Sequence, residues 1–373
     1  MQRILKPGTS WNETWERARR AAPEAFDDDR SRNLVAGEWQ ANGRVEPHVV
    51  GIDGSTIPGP PLIDRADTDA AVSAALQQHA DWSQTELDER RRRVSTAVDL
   101  LGEQRDLLAM LLVWEIGKPW KLACADVDRA LDGVRWYLEE IERQSQGRQP
   151  LPGPVSNIAS WNYPMSVLVH SELVQLLAGN AVISKTPSQG GFHCLTLAHA
   201  MLARADLPVT LVSGSGREIG SSLVRGDGIG ALAFVGGRAN GRRVAADLAD
   251  TGRRYMLEEE GLNAWGVWDF SAWDELAAHL LKGFEYGKQR CTAYPRYVVQ
   301  RDLLPEFLEM YTGMLGALRF GHPLAVEHPD DPLPELSFGP VISAAKASEL
   351  RDAYAEAVRG GGLPIARRSL EDG

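Results

Sequence analysis

Cysteine is scarce in this chain: three in 373 residues, Cys124, Cys194 and Cys291. None belongs to a C-x-x-C pair, so neither a zinc ribbon nor a disulfide framework has its ligands, and no metal site is expected. The odd count suits a reducing compartment. Excess positive charge is also missing. Forty Lys and Arg stand against 51 Asp and Glu, a net charge of −11, which provides no field for counterion-release binding to nucleic acid or to an anionic membrane. No apolar run approaches the ~18 residues of a membrane span. The opening stretch MQRILKPGTSWNETWERARR carries charges where a signal peptide has its apolar core. These absences predict a cytoplasmic protein whose partner is a small molecule.

The chain is long enough for two cores, since single cores stop growing near roughly 250 to 300 residues. Residues 1–64 are rich in Gly, Pro and polar residues and read as a wrapping segment rather than core. They contain a strand-like stretch from Asn33 to Trp39 and turns at Asp53-Gly54 and Pro58-Gly59-Pro60-Pro61. From Asp67 the period becomes helical: Val72, Ala75 and Leu76 share a face, then Val94, Ala97, Val98 and Leu101 recur at i, i+3, i+4, i+7. Two or three helices are expected up to about Gln144. After GRQPLPGP, the apolar runs VSNIAS, NAVISK, VTLVS, ALAFVG and YMLEE alternate with helical stretches, which predicts a parallel α/β sheet. Beyond Gly261 a second alternation follows: AWGVWD, a helix from Ala272 to Phe284, the strand RYVVQ, and a helix from Leu304 to Leu318.

Three places carry candidate chemistry. Cys291, in FEYGKQRCTAYPRYVV, lies where a helix ends, a glycine turn follows and a strand begins. An isolated cysteine is ordinarily buried packing, whereas a nucleophile needs a thiolate near positive charge, which Arg290 and Lys288 are placed to supply. Asn162, in WNYP, ends a strand before an apolar helix and is either a turn residue or an amide donor aimed at a developing oxyanion. Glu258, in YMLEEEGLN, is either part of a solvated acidic edge or a partly buried general base.

Taken together and in order, these pieces resemble the aldehyde dehydrogenase superfamily over nearly the whole chain, from LVAGEWQ through AVSAALQQHADW, RRRV and EIGKP to FGPVIS. WNYP resembles the family's oxyanion motif, AGNAVISKTPSQ its cofactor strand, FVGGRANG its glycine loop, LEEEG its glutamate loop and GKQRCTA its nucleophile motif. The resemblance implies a Rossmann-like NAD(P)-binding domain of residues 1–144 and 152–259 and an α/β catalytic domain of residues 260–373. It also implies that Cys291 attacks an aldehyde, Asn162 holds the oxyanion, hydride leaves to the cofactor, and Glu258 activates the water that hydrolyses the thioester.

For the cofactor, the resemblance assigns Lys185 to the adenosine ribose. Ser188 occupies the position where many NAD-preferring relatives carry a glutamate, so NADP is admitted and slightly favoured; the plain alternative is that Ser188 caps the next helix. Gly236 and Gly241 would let a helix N-terminus approach the pyrophosphate, with Gly237 in place of the family Ser or Thr.

Within the superfamily the motifs are most similar to non-phosphorylating NADP-dependent glyceraldehyde-3-phosphate dehydrogenase: Asn162-Tyr163-Pro164, Lys185 to Gly190, Gly214 to Gly220, and Gln289 to Ala293. That resemblance implies a phosphate or phosphonate held by Arg290, Tyr163 and Arg129, since a guanidinium fork suits such anions. The sequence departs from the family in carrying Glu259-Glu260 in place of Leu-Gly and Leu262 in place of Lys. The stretch before WNYP is too short for the family's projecting strand pair, and the family's last segments have no counterpart after FGPVIS. A monomer or weak dimer is expected. A non-catalytic paralogue and a CoA-acylating reductase remain the alternatives to a hydrolytic dehydrogenase.

Overall fold

In the computed structural model, which describes residues 3–367, the five apolar runs become five parallel strands of one sheet: Val155–Ile158, Val182–Lys185, Val209–Val212, Ala231–Gly236 and Arg254–Glu259. The whole sheet has seven strands in the spatial order 254–259, 231–236, 155–158, 182–185, 209–212, 33–35, 38–40. Neighbouring residues of a strand point to opposite faces, and at the centre of the sheet both faces are covered. Leu34, Val182 and Leu211 belong to one core with the helices on their side, while Val35, Ile183 and Val212 belong to a second core on the other. Burial on both faces is why the central strands Val155–Ile158, Val182–Lys185 and Val209–Val212 read as unbroken apolar runs, whereas Arg254–Glu259 at the sheet edge is largely exposed.

The sheet is mixed rather than wholly parallel. Asn33–Val35 runs antiparallel to Val209–Val212 and pairs with Glu38–Gln40 through a turn at Ala36-Gly37, both at positive φ. The strand-like stretch at Asn33 to Trp39 is therefore a hairpin at the sheet edge.

The first 64 residues are more than a wrapping segment. Trp11–Ala21 is a helix whose N-terminus is closed by a capping box between Ser10 and Glu13. Its Trp15 and Ala18 enter the main core together with Phe26 and Leu34. A polar average hid one apolar stripe at helical spacing. The Pro58 to Pro61 turn is also corrected: Thr56–Leu62 is a strand, paired antiparallel with Arg44–Val49 around the Asp53-Gly54 turn. A two-stranded ribbon leaves one edge on which prolines need donate nothing.

Between Arg65 and Ser145 there are four helices, Arg65–Trp82, Leu87–Glu103, Arg105–Ile116 and Trp120–Ser145, rather than two or three. Gly117, at φ 65°, ends the third, and Pro119 starts the fourth. Leu76, expected on the buried face with Val72 and Ala75, is 37% exposed.

After the sheet comes a smaller α/β unit. Ala264–Val267 and Arg296–Val299 pair in parallel, Trp273–Gly283 crosses between them, and Leu304–Leu315 completes a core of Val267, Leu276, Leu280, Phe307 and Met314. Among the described residues no helix is long and apolar enough to cross a membrane.

Candidate active site

The loop carrying Cys291 is held in an uncommon conformation. Beyond Phe284 the chain turns left-handed through Tyr286, Gly287 and Lys288, with φ of 58°, 60° and 60°. For a residue with a Cβ this costs about 1 to 2 kcal/mol, so the surroundings must impose it. The Tyr286 N–H donates to Ser337 O at 2.8 Å, and its fully buried hydroxyl donates to Ile116 O at 2.9 Å. Gln289 then ties the loop to the FGPVIS segment, donating to Pro340 O and accepting from the Ile342 N–H at 2.9 Å. Imposed strain of this kind clusters at functional sites.

Cys291 follows this turn and is exposed, while Cys124 and Cys194 are buried. Burial pushes the Cys124 thiol up to about 11 and raises Cys194 well above its ordinary value. Neither is suited to form a thiolate. Lys288 does not point its charge at the Cys291 thiol; its ammonium donates to Tyr294 O at 2.9 Å and to the Tyr297 hydroxyl at 3.2 Å, over the Phe284 ring.

Asn162 is brought to the same loop. Its amide donates to Gln289 O at 2.9 Å, two residues before the thiol, and its side-chain oxygen accepts from Ser160. An amide carries two N–H bonds, and the hydrogen bond to Gln289 O uses one of them. The Asn162 main chain is anchored as well: Lys118 Nζ donates to its carbonyl at 2.7 Å and to Asp126 Oδ2 at 3.0 Å, with both charged side chains wholly buried. Asp126 in turn accepts the Ser166 N–H at 3.0 Å, in the turn following WNYP.

The glutamate loop packs against the same backbone. A Cβ at Gly261 would lie 1.9 Å from the Cys291 carbonyl oxygen, so only glycine allows this approach. Asn263 donates to the carbonyls of Cys291 and Ala293. Glu258, near the end of Arg254–Glu259, is exposed, as the solvated-edge alternative has it, and lacks the partial burial of the other.

An exposed thiol on a strained turn, an anchored amide and a glutamate strand thus converge from three separate elements. The aldehyde dehydrogenase family pattern matches residues 40–371. The chain belongs to the aldehyde dehydrogenase family. Among relatives, it is 28% identical over 363 residues to α-ketoglutarate semialdehyde dehydrogenase of Haloferax volcanii, covering 90% of this chain and 73% of that protein. It is 30% identical over 331 residues to N-succinylglutamate 5-semialdehyde dehydrogenase 1 of Caulobacter vibrioides, covering 83% and 67%. The fold matches NADP-dependent glyceraldehyde-3-phosphate dehydrogenase from Bacillus halodurans, complexed with NADP, at a TM-score of 0.82 and 24% identity, covering 91% of this chain and 74% of that one. HpcC from Thermus thermophilus matches at 0.84 and 25%, covering 99% and 74%.

In this aldehyde dehydrogenase the residues expected to hold a dinucleotide divide into two groups. Lys185, at the end of Val182–Lys185, is buried, with its Nζ donating to Thr186 O at 2.8 Å; burial pushes its ammonium down to about 8. A desolvated cation without a carboxylate partner fits the ribose hydroxyls the family places there. Ser188 is exposed and does not cap the next helix, whose N-cap is Gly191. Its helix-capping alternative therefore falls away. The pyrophosphate end differs. Gly236 ends its strand, Gly237 is the N-cap of Arg238–Leu248 and Gly241 lies in that helix's buried face. The space beside Gly241 holds a carboxylate, since a Cβ there would lie 2.3 Å from Glu259 Oε1, and the Arg238 N–H points at Glu260 Oε1 at 3.4 Å. The helix end fits a pyrophosphate only once these two side chains have moved.

Of the three residues expected at a substrate anion, Tyr163 and Arg290 lie on segments joined by the Asn162 to Gln289 hydrogen bond. Tyr163 is partly buried, and desolvation raises its hydroxyl above the ordinary value, opposed by the positive charges of Arg290 and Arg129. Arg290 donates to Lys282 O at 2.7 Å, pairs with Glu285 at 3.4 Å and leaves a buried Nε without a partner. Arg129 is exposed on Trp120–Ser145.

Sequence reading left Lys118, Asp126, Tyr286 and Asn263 without roles. A lysine following the apolar run LLVWEIG was the available signal for a buried charge; its partner eight residues on follows no local spacing rule.

Proposed function

We propose that this aldehyde dehydrogenase oxidises a small aldehyde bearing a phosphate or phosphonate to the carboxylic acid, by way of a thioester on Cys291. NAD(P) supplies the hydride acceptor, and the absence of a carboxylate at exposed Ser188 favours NADP. Cys291 adds to the carbonyl carbon, and the second N–H of Asn162 meets the oxygen that becomes negative. Glu258, exposed to solvent beside the Gly261 turn, takes a proton from the water that hydrolyses the thioester. Relatives named as semialdehyde dehydrogenases support the aldehyde class.

The observation that carries the anionic substrate is the hydrogen bond from Asn162 to Gln289 O, which brings their chain neighbours Tyr163 and Arg290 to one place, beside the Trp120–Ser145 helix that carries Arg129 and whose Asp126 accepts the Ser166 N–H. A hydrogen bond to a charged group contributes about 1.5 to 3 kcal/mol, roughly ten- to a hundredfold or more in kcat/KM. Steady-state NAD(P)H formation with Arg129→Ala should show that loss on a phosphorylated aldehyde and not on its uncharged analogue. Equal losses on both, or none on either, return the enzyme to plain aldehydes.

A second reading, a non-catalytic relative, is favoured by the carboxylates at the helix end. It predicts no NAD(P)H from any aldehyde.

A further inference from the structure

The N-terminus of Arg238–Leu248 is an anion site by its physics: free N–H groups at the end of an eleven-residue helix, glycine at the N-cap, and no acidic residue of its own in the first turn. The chain brings acid to it from elsewhere. Arg254–Glu259 pairs in parallel with Ala231–Gly236, Glu259 opposite Gly236, so the residues leaving this strand emerge beside the helix that follows its neighbour. Glu259 Oε1 fills the space over Gly241. Glu260 Oε1 receives the Arg238 N–H at 3.4 Å, and its other oxygen would lie 3.9 Å from a Cβ at Gly237.

We propose that Glu259 and Glu260 are internal competitors of the cofactor, two carboxylates that stand at the helix end where the pyrophosphate of a dinucleotide would sit. The inference rests on the reading of the chain as NAD(P)-binding. Pyrophosphate and two carboxylates cannot share the site: the volume over Gly241 is taken, and like charges at contact distance repel strongly where water is partly excluded. Binding must first swing both side chains into solvent. Both lie next to Gly261, where the chain touches the Cys291 carbonyl, so displacing them also loads the turn that holds the nucleophile loop.

The test is equilibrium binding of NADP+ and NAD+ to the whole chain, read by tryptophan fluorescence, for the wild type, Glu260→Gln and Glu259→Gln/Glu260→Gln. The double variant should bind at least tenfold more tightly at low ionic strength, with the single variant between. The gap should shrink in high salt, which screens partly exposed charges. Hydrogen exchange of the ligand-free protein is the second readout: the Arg238 amide should exchange faster in Glu260→Gly than in the wild type. Equal dissociation constants overturn the inference and leave the dehydrogenase reading standing. Binding by the double variant alone supports the inference and marks the wild type as closed. No binding by any variant overturns both.

Discussion

Removing Asp126 should do more damage than removing the whole ion pair it belongs to. Lys118 and Asp126 are wholly buried 3.0 Å apart. Lys118 also supports the Asn162 carbonyl, and Asp126 the Ser166 N–H. Asp126→Ala leaves an ammonium in the core with one carbonyl and the faces of Tyr163 and Tyr286, at 3.9 and 4.9 Å, as its remaining partners. Breaking a buried pair this way costs about 3 to 5 kcal/mol, a large part of the ~5 to 15 kcal/mol of an ordinary fold. Lys118→Met strands the carboxylate instead, though Ser166 still donates to it, so its cost should be the lower of the two. In Lys118→Met/Asp126→Ala no charge is left behind. What remains is the Ser166 N–H and the Asn162 carbonyl without these partners, about 1 to 3 kcal/mol each, and Asp126→Ala leaves the first of these in addition to its stranded ammonium. Urea midpoints for the four proteins should therefore give a double variant less destabilised than Asp126→Ala alone, with a coupling of about 0.5 to 3 kcal/mol. Additive single effects would refute the argument that the pair is one buried unit. Lys118→Met should also lower kcat more than it changes KM, because it frees the Asn162 backbone without touching substrate.

Asn162→Ala removes the amide donor and should reduce kcat by about a hundred- to a thousandfold with a smaller change in KM, measured as steady-state NAD(P)H formation. For Lys185 the sign follows from its depressed value. The folded protein releases this proton near pH 8 while the unfolded chain keeps it to about 10.4, so the unfolded state binds more protons between them and stability rises with pH across that window. The penalty is fully present below pH 8, about 3 kcal/mol at about 1.4 kcal/mol per unit. Urea unfolding should accordingly find Lys185→Met stabilised relative to the wild type at pH 7, with the difference closing toward pH 10; a difference independent of pH would contradict the burial argument.

The sheet was legible because strands buried on both faces announce themselves as short apolar runs between turns, as in NAVISK and VTLVS. The Trp11–Ala21 helix was not, because its apolar stripe lies inside a polar average. Cys291 and Asn162 were legible through their motifs, and the structure anchors the amide two residues from the thiol. The Lys118 to Asp126 to Asn162 chain was hidden because its members meet only after two helices and a strand have packed. The Glu259-Glu260 departure was visible as letters, but its consequence was not. That two strands in register carry those carboxylates to the end of a helix that begins 22 residues before Glu260 is a property of the sheet.

The central claim is that Cys291 carries the acyl group and Glu258 releases it. Glu258→Gln should leave the first turnover intact and trap the thioester, so the protein incubated with substrate aldehyde and NAD(P)+, then digested and analysed by mass spectrometry, should carry one acyl group on the Cys291 peptide. The buried Cys124 and Cys194 peptides should be unmodified. An acyl group on another residue, or none on Cys291 after a stoichiometric burst of NAD(P)H, would contradict the account.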